Sequence, residues 1–200
     1  MIIPLRCKNC KDILTGDTGD YLFFCRDCSI SYLLNGDRLS PVNTFESDSV
    51  EGYTHLLPLY LYDITVDYTV FASKRQGEVA QLIGRVLKMV VRGFTMLDPV
   101  YFGDLELATA DSINQNTLQL RPYTIRDKNF RLNVRPDVAE RLLRYNFMRY
   151  FDRRADITGL KYNLTTNAMG ILFLKATLKE KTIYLSDLKK ELPSYAILSI

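Results

Sequence analysis

The ten residues Leu61-Tyr62-Asp63-Ile64-Thr65-Val66-Asp67-Tyr68-Thr69-Val70 decide the fold class of this 200-residue chain. Tyr62, Ile64, Val66, Tyr68 and Val70 fall on one side of an extended backbone; Asp63, Thr65, Asp67 and Thr69 fall on the other. Side chains of a strand point alternately to opposite faces, so this period of two predicts a strand with one buried face. The other face carries carboxylates and hydroxyls and is therefore wet. A sheet that is wet on one side is expected to be antiparallel, because parallel sheets are covered on both faces. A composition of 13 Tyr, 10 Phe and no Trp suits a core that contains strands.

Working outward toward the C-terminus, Glu78 to Val91 admits two readings. Val79, Leu82, Ile83, Val86, Leu87 and Val90 have helical spacing, whereas Met89-Val90-Val91 suits a strand. Phe94 to Phe102 is expected to be extended, with Asp98-Pro99 as a turn or edge signal. A short helix is expected within Gly103 to Ile113. Leu118 to Val134 reads as extended pieces split by Arg121-Pro122 and Asp127-Lys128-Asn129. Residues 136–152 predict a helix: Pro136 suits its first turn, Asp137 its positive end, and Val138, Ala139, Leu142, Leu143, Tyr145, Phe147 and Tyr150 form a broad apolar stripe. Met169 to Leu178 and Thr182 to Leu185 read as a strand pair. The tail from Ser186 to Ile200 is expected to hold a charged turn or helix and an apolar end docked on the core.

Toward the N-terminus, residues 36–52 are polar and rich in turn formers (Ser40-Pro41-Val42-Asn43-Thr44, Glu46-Ser47-Asp48-Ser49), which predicts a connector. Residues 1–35 then form a separate small module. The expected organisation is α+β: the module at 1–35, the connector at 36–52, and a larger domain at 53–200 with a mainly antiparallel sheet and helices.

The module is organised around Cys7-Lys8-Asn9-Cys10 and Cys25-Arg26-Asp27-Cys28, with fourteen residues between the pairs. Asp17-Thr18-Gly19-Asp20 predicts a turn between them, and Tyr21 to Phe24 and Ser29 to Leu34 predict flanking short strands. Each C-x2-C pair can point both sulfurs at one ion, and two pairs complete a tetrahedron at ~2.3 Å per zinc–sulfur bond. Soft thiolates select zinc or iron over calcium and magnesium. Paired spacing in a chain with no export signal reads as metal ligation in place of disulfides. The pattern resembles the zinc-ribbon family with its rubredoxin-like relatives, over about residues 5–34. The resemblance implies one structural ion, zinc with iron as the alternative, held by Cys7, Cys10, Cys25 and Cys28. It departs from the commonest family knuckle, in which Pro follows the first Cys and Gly the second; here Lys8 and Lys11, then Arg26 and Ser29, stand there. A fainter resemblance adds the block Leu57-Pro58-Leu59-Tyr60 and is to a group of uncharacterised bacterial zinc-ribbon proteins, with no activity implied.

Four thiolates around a dication leave a formal charge of about −2, which Arg6, Lys8, Lys11 and Arg26 would offset. The chain as a whole carries +3, too little for a nucleic-acid binder by bulk charge. The longest apolar candidate, Leu82 to Val91, is broken by Gly84, Arg85 and Lys88, so no membrane insertion is expected. Met1 to Leu5 is too short for the apolar core of a leader and Arg6 follows at once, so the expected compartment is the cytoplasm. No catalytic residues are expected: His55 is the lone histidine, and neither phosphate-loop spacing is present. The leading expectation is a non-enzymatic adaptor or accessory subunit that meets protein partners in a larger assembly. The alternative is a nucleic-acid-binding module using Lys8, Lys11 and Arg26 with Arg141, Arg144, Arg149, Arg153 and Arg154. A rubredoxin-like electron carrier is the third.

Overall fold

The computed structural model describes residues 5–47, 52–70, 85–95, 99–126, 128–153 and 161–194. The centre of the fold is the antiparallel pair β4 (His55–Val70) and β7 (Lys161–Lys179), in register from His55↔Ala176 to Val70↔Lys161. Within β4, every residue from Leu56 to Tyr62 is buried, so this apolar run is covered on both faces. From Asp63 onward the burial alternates: Ile64 and Val66 are buried, Thr65 is half-buried and Asp67 is exposed. The expected half-wet strand is therefore the outer part of a longer one. β7 changes in the same way, from a largely exposed stretch at 161–169 to a buried one from Gly170 to Ala176.

On its other side β4 pairs with β5 (Leu87–Arg92), which resolves the ambiguous segment in favour of the Met89-Val90-Val91 strand; residues 78–84 lie outside the described residues. Two α-helices are described. The first, α1 (Pro99–Asn114), begins where an extended stretch was expected through Phe102. Proline suits a helix's first position as well as a strand edge, and the stripe Leu105, Leu107, Ala110, Ile113 buries the rest of the helix. The second, α2 (Pro136–Asp152), has the expected bounds and buries Ala139, Leu143, Asn146, Phe147, Tyr150 and Phe151. The Phe147 ring lies 4.9 Å from that of Tyr162 on β7, which fixes the sheet face that α2 covers.

Both helices also close the outer edge of β5. Asn114 accepts from the Lys88 N–H and donates to the Lys88 carbonyl, both at 2.9 Å, as a neighbouring strand would. Asn146 donates to the Val90 carbonyl at 3.1 Å, and Glu106 accepts the Arg92 N–H at 2.7 Å. Burial raises the Glu106 carboxyl above its ordinary range, against that backbone N–H, which lowers it.

The N-terminal strands β1 (Leu22–Phe24) and β2 (Ser31–Asn35) form as expected and pair antiparallel. The connector does not form as expected. Arg38–Ser47 is a ten-residue strand, β3. Its first half pairs antiparallel with β2, from Asn35↔Arg38 to Ser31↔Val42. Its second half runs parallel to β7, from Asn43↔Gly170 to Glu46↔Phe173, and antiparallel to β6 (Leu120–Pro122). Backbone pairing on both sides holds this polar segment extended, helped by Val42 and Phe45 packed on the core and by Thr44 and Glu46 bonded to neighbours far along the chain, so side-chain pattern gave little sign of it. The described sheet thus runs β1-β2-β3-β7-β4-β5, mostly antiparallel with one parallel pair. β7 ends in a hairpin with β8 (Thr182–Leu185), which pairs with β9 (Lys190–Pro193); a 3-10 turn at Ser186–Leu188 joins them. The apolar end of the tail, 195–200, lies outside the described residues. No described helix is long and apolar enough to cross a membrane.

Candidate metal centre

The first cysteine pair sits in a tight turn. The Lys11 N–H reaches the Cys7 carbonyl at 3.1 Å, and the Cys7 N–H reaches that of Asp12 at 2.8 Å. In the second pair the Cys25 N–H donates to the Ile30 carbonyl at 2.9 Å. Both turns close through a left-handed residue directly after the second cysteine: Lys11 at φ 70° and Ser29 at φ 56°. Glycine would adopt this conformation freely, whereas a residue with a Cβ is strained there by about 1–2 kcal/mol. Lys11 and Ser29 therefore supply the glycine conformation without the glycine.

These turns bring the four sulfurs together. All lie within 4.8 Å of one another. A tetrahedron with bonds of ~2.3 Å has sulfurs about 3.8 Å apart, and Cys10 and Cys25 are already at 3.4 Å. The four cysteines are thus arranged to hold a metal ion. Cys7 and Cys25 are buried, Cys28 is half-buried and Cys10 is exposed, so the centre has an inner and an outer side.

Hydrogen bonds aim the sulfurs. The Asn9 N–H donates to Cys7 Sγ and the Cys28 N–H to Cys25 Sγ, each at 3.4 Å. The Asn9 side-chain amide crosses to Cys28 Sγ at 3.2 Å. The Tyr32 hydroxyl lies 3.3 Å from Cys7 Sγ and accepts the Lys8 N–H at 3.3 Å. Sequence reading missed Asn9 and Tyr32; the one available signal for Tyr32 was its place on the strand leaving the second pair, and it went unused. The Tyr32 hydroxyl is the main cause that pulls the Cys7 thiol down to about 6, against burial. At Cys10 the Asp12 backbone is the largest single influence and lowers the value, but the other three thiols and burial together raise it. Crowded thiols that resist ionising together are relieved by a cation among them.

The basic residues around the centre are partly engaged elsewhere. Arg6 donates to the Lys11 carbonyl at 3.0 Å and Lys11 to the Lys8 carbonyl at 2.9 Å. Lys8 and Arg26 are exposed, and Asp12 and Asp27 lie beside Cys10. Asp12 raises the Asp27 carboxyl by hydrogen bonding and repulsion. The arginines proposed for nucleic acid sit on another element. Arg141 is 3.5 Å from the Asp137 carboxylate, Arg149 stacks 5.6 Å above the Tyr145 ring, Arg144 is exposed on α2, and Arg153 caps that helix. Arg154 lies outside the described residues. His55 spends its Nδ1 on Thr54 Oγ1, 2.9 Å away.

The centre is fastened to the rest of the sheet. Leu22, Phe24 and Leu33 enter the main core. The Tyr21 N–H donates to the Leu132 carbonyl at 2.8 Å. Lys128 joins Asp17, at 2.7 Å, and the buried Asp20. Comparison with protein-family models, with curated proteins and with solved structures finds no match to this chain.

Proposed function

We propose that residues 5–34 are a zinc ribbon with a structural ion, and that the protein is a non-enzymatic adaptor or accessory subunit in a larger assembly. One observation carries this reading: four cysteine sulfurs within 4.8 Å of one another supply a complete ligand set. A four-thiolate sphere leaves no open position for water or substrate, so the ion orders the chain and performs no chemistry. Soft sulfur donors favour zinc among divalent ions of the cell. The attachment of the ribbon to the sheet through β3 supports a scaffold role, because an ion there fixes a surface held by the larger core.

Metal analysis of the native chain tests the first half: one zinc per chain and no visible absorption are expected, whereas stoichiometric iron with colour would favour the electron-carrier reading. Affinity purification from the source cells tests the second half. A heterologous protein retained in fixed ratio is expected. A chain that recovers none, and instead binds DNA or RNA in a strongly salt-dependent way, would overturn it in favour of nucleic-acid binding.

A further inference from the structure

The sheet treats two of its edges differently. Along β5 the outer backbone groups are met by Asn114, Asn146 and Glu106. Along Tyr162–Thr166 of β7 no described residue meets them. β4 occupies one side of that stretch, and β3 joins the other side only from Gly170 onward. Among the described residues nothing pairs with the free side of Tyr162–Thr166, and this stretch is exposed or half-buried throughout. Proteins protect such edges with lysine, proline or a bulge. From Tyr162 to Leu174 there is neither a charged residue nor a proline. The bulge, where Asn167 is the extra residue opposite Asp63 and Ile64, bounds the edge on one side and leaves Tyr162–Thr166 regular.

A groove of about 310 Å³ runs between this edge and α2, lined by Glu140, Leu143, Arg144, Leu164, Thr165 and Thr166. Glu140 and Arg144 are exposed, one helical turn apart, and make no ion pair in the described structure.

We propose that the edge Tyr162–Thr166 pairs antiparallel with the same edge of a second copy of this chain, forming a two-fold dimer with one sheet continuous across it. Two features select a copy over another strand. The edge carries no charge, so it does not repel itself. The groove beside it carries one acid and one base, and a two-fold axis sets Glu140 of each copy against Arg144 of the other. An axis at Leu164 pairs Tyr162 with Thr166 and Asn163 with Thr165, satisfying the free backbone groups of both edges. This dimer is independent of which ion the cysteines hold and of any heterologous partner.

Sedimentation of the purified, metal-loaded full chain over a concentration series tests the dimer. The expected result is a monomer–dimer equilibrium. Thr165→Lys sets like charges near each other across the axis and is expected to weaken association at least tenfold, with the circular-dichroism spectrum unchanged. Arg144→Glu is expected to weaken it as well, and Arg144→Glu combined with Glu140→Arg to restore it, since the swapped pair is still complementary under the two-fold. A chain that stays monomeric throughout, or a dimer untouched by Thr165→Lys, would overturn the proposal.

Discussion

Around the four cysteines the buried side chains are Cys7, Leu14, Cys25 and Tyr32, with a few half-buried neighbours. Around β4 and β7 the buried set includes Leu56, Leu59, Tyr60, Ile64, Leu172, Phe173 and Leu174, with aromatic rings from α2 and from the 123–130 segment packed on it. The second region buries enough apolar surface to hold its strands by desolvation. The first does not, and its turns contain two strained residues, Lys11 and Ser29. The proposed ion would supply the order that this small cluster lacks, as in other small domains below the size at which a core suffices. The comparison teaches where each region is vulnerable: one to loss of a ligand atom, the other to loss of volume, and the seam between them to loss of a charge.

The largest effect is expected from Cys25→Ser. Loss of a ligand should destabilise the cysteine region by more than about 4 kcal/mol, read as loss of amide-exchange protection from Cys7 to Tyr32. Because Leu22, Phe24 and Leu33 belong to the main core, the melting temperature of the whole chain should fall too. An unchanged melting temperature would show that the two regions are energetically separate.

Lys128→Met tests the seam. It leaves Asp20, whose side chain is 1% exposed, without its cation. Removing one partner of a buried pair costs about 3–5 kcal/mol, so denaturant melts should shift while metal content at room temperature stays at one ion per chain. Gly170→Ala tests where β3 meets β7. An added Cβ would lie 2.8 Å from the Phe45 ring and 3.1 Å from the Asn43 carbonyl, and overpacking of this kind costs about 1–3 kcal/mol. Exchange should quicken at Asn43 to Glu46 before it does in the rest of β4 and β7.

Tyr32→Phe removes the hydroxyl beside Cys7 Sγ and leaves the ring. Outer groups of this kind contribute about tenfold or more to metal affinity, so competition with a chelator should show at least that loss while the fold persists. The smallest effect is expected from mild acid at the seam. Lys128, by hydrogen bond and charge, holds the Asp17 carboxyl below its ordinary range. A depressed carboxylate stabilises the fold above its unfolded value, near 4, and that contribution is lost as pH falls through the folded value. The Asp17 side chain is 56% exposed, so solvent screening confines this to a few tenths of a kcal/mol. Comparing wild type with Asp17→Asn across that pH range measures it.

Much of both regions was legible in the sequence because the signals were local. The spacing of Cys7, Cys10, Cys25 and Cys28 is a property of a few residues, and each pair folds about its own turn. The α2 stripe and the alternation after Leu61 are likewise periodicities of one element. What was not legible depended on partners far along the chain. Asn9 and Tyr32 became relevant only when the turns folded, and the helix at Pro99 was masked by a proline signal that serves strands and helices alike.

The sequence by itself determined a four-cysteine site, a strand with one wet face, and a helix over 136–152, each through residues close enough in the chain to state their own geometry. The tertiary structure alone decided that the polar stretch Arg38–Ser47 is a strand that ties the cysteine region to β7. It alone also decided that one sheet edge is closed by Asn114, Asn146 and Glu106 while another, along Tyr162–Thr166, has no strand partner among the described residues. The physical reason is the same in both cases. Backbone hydrogen bonds between strands are made by groups that every residue carries, so the side-chain pattern does not reveal which backbone meets which until the chain has folded.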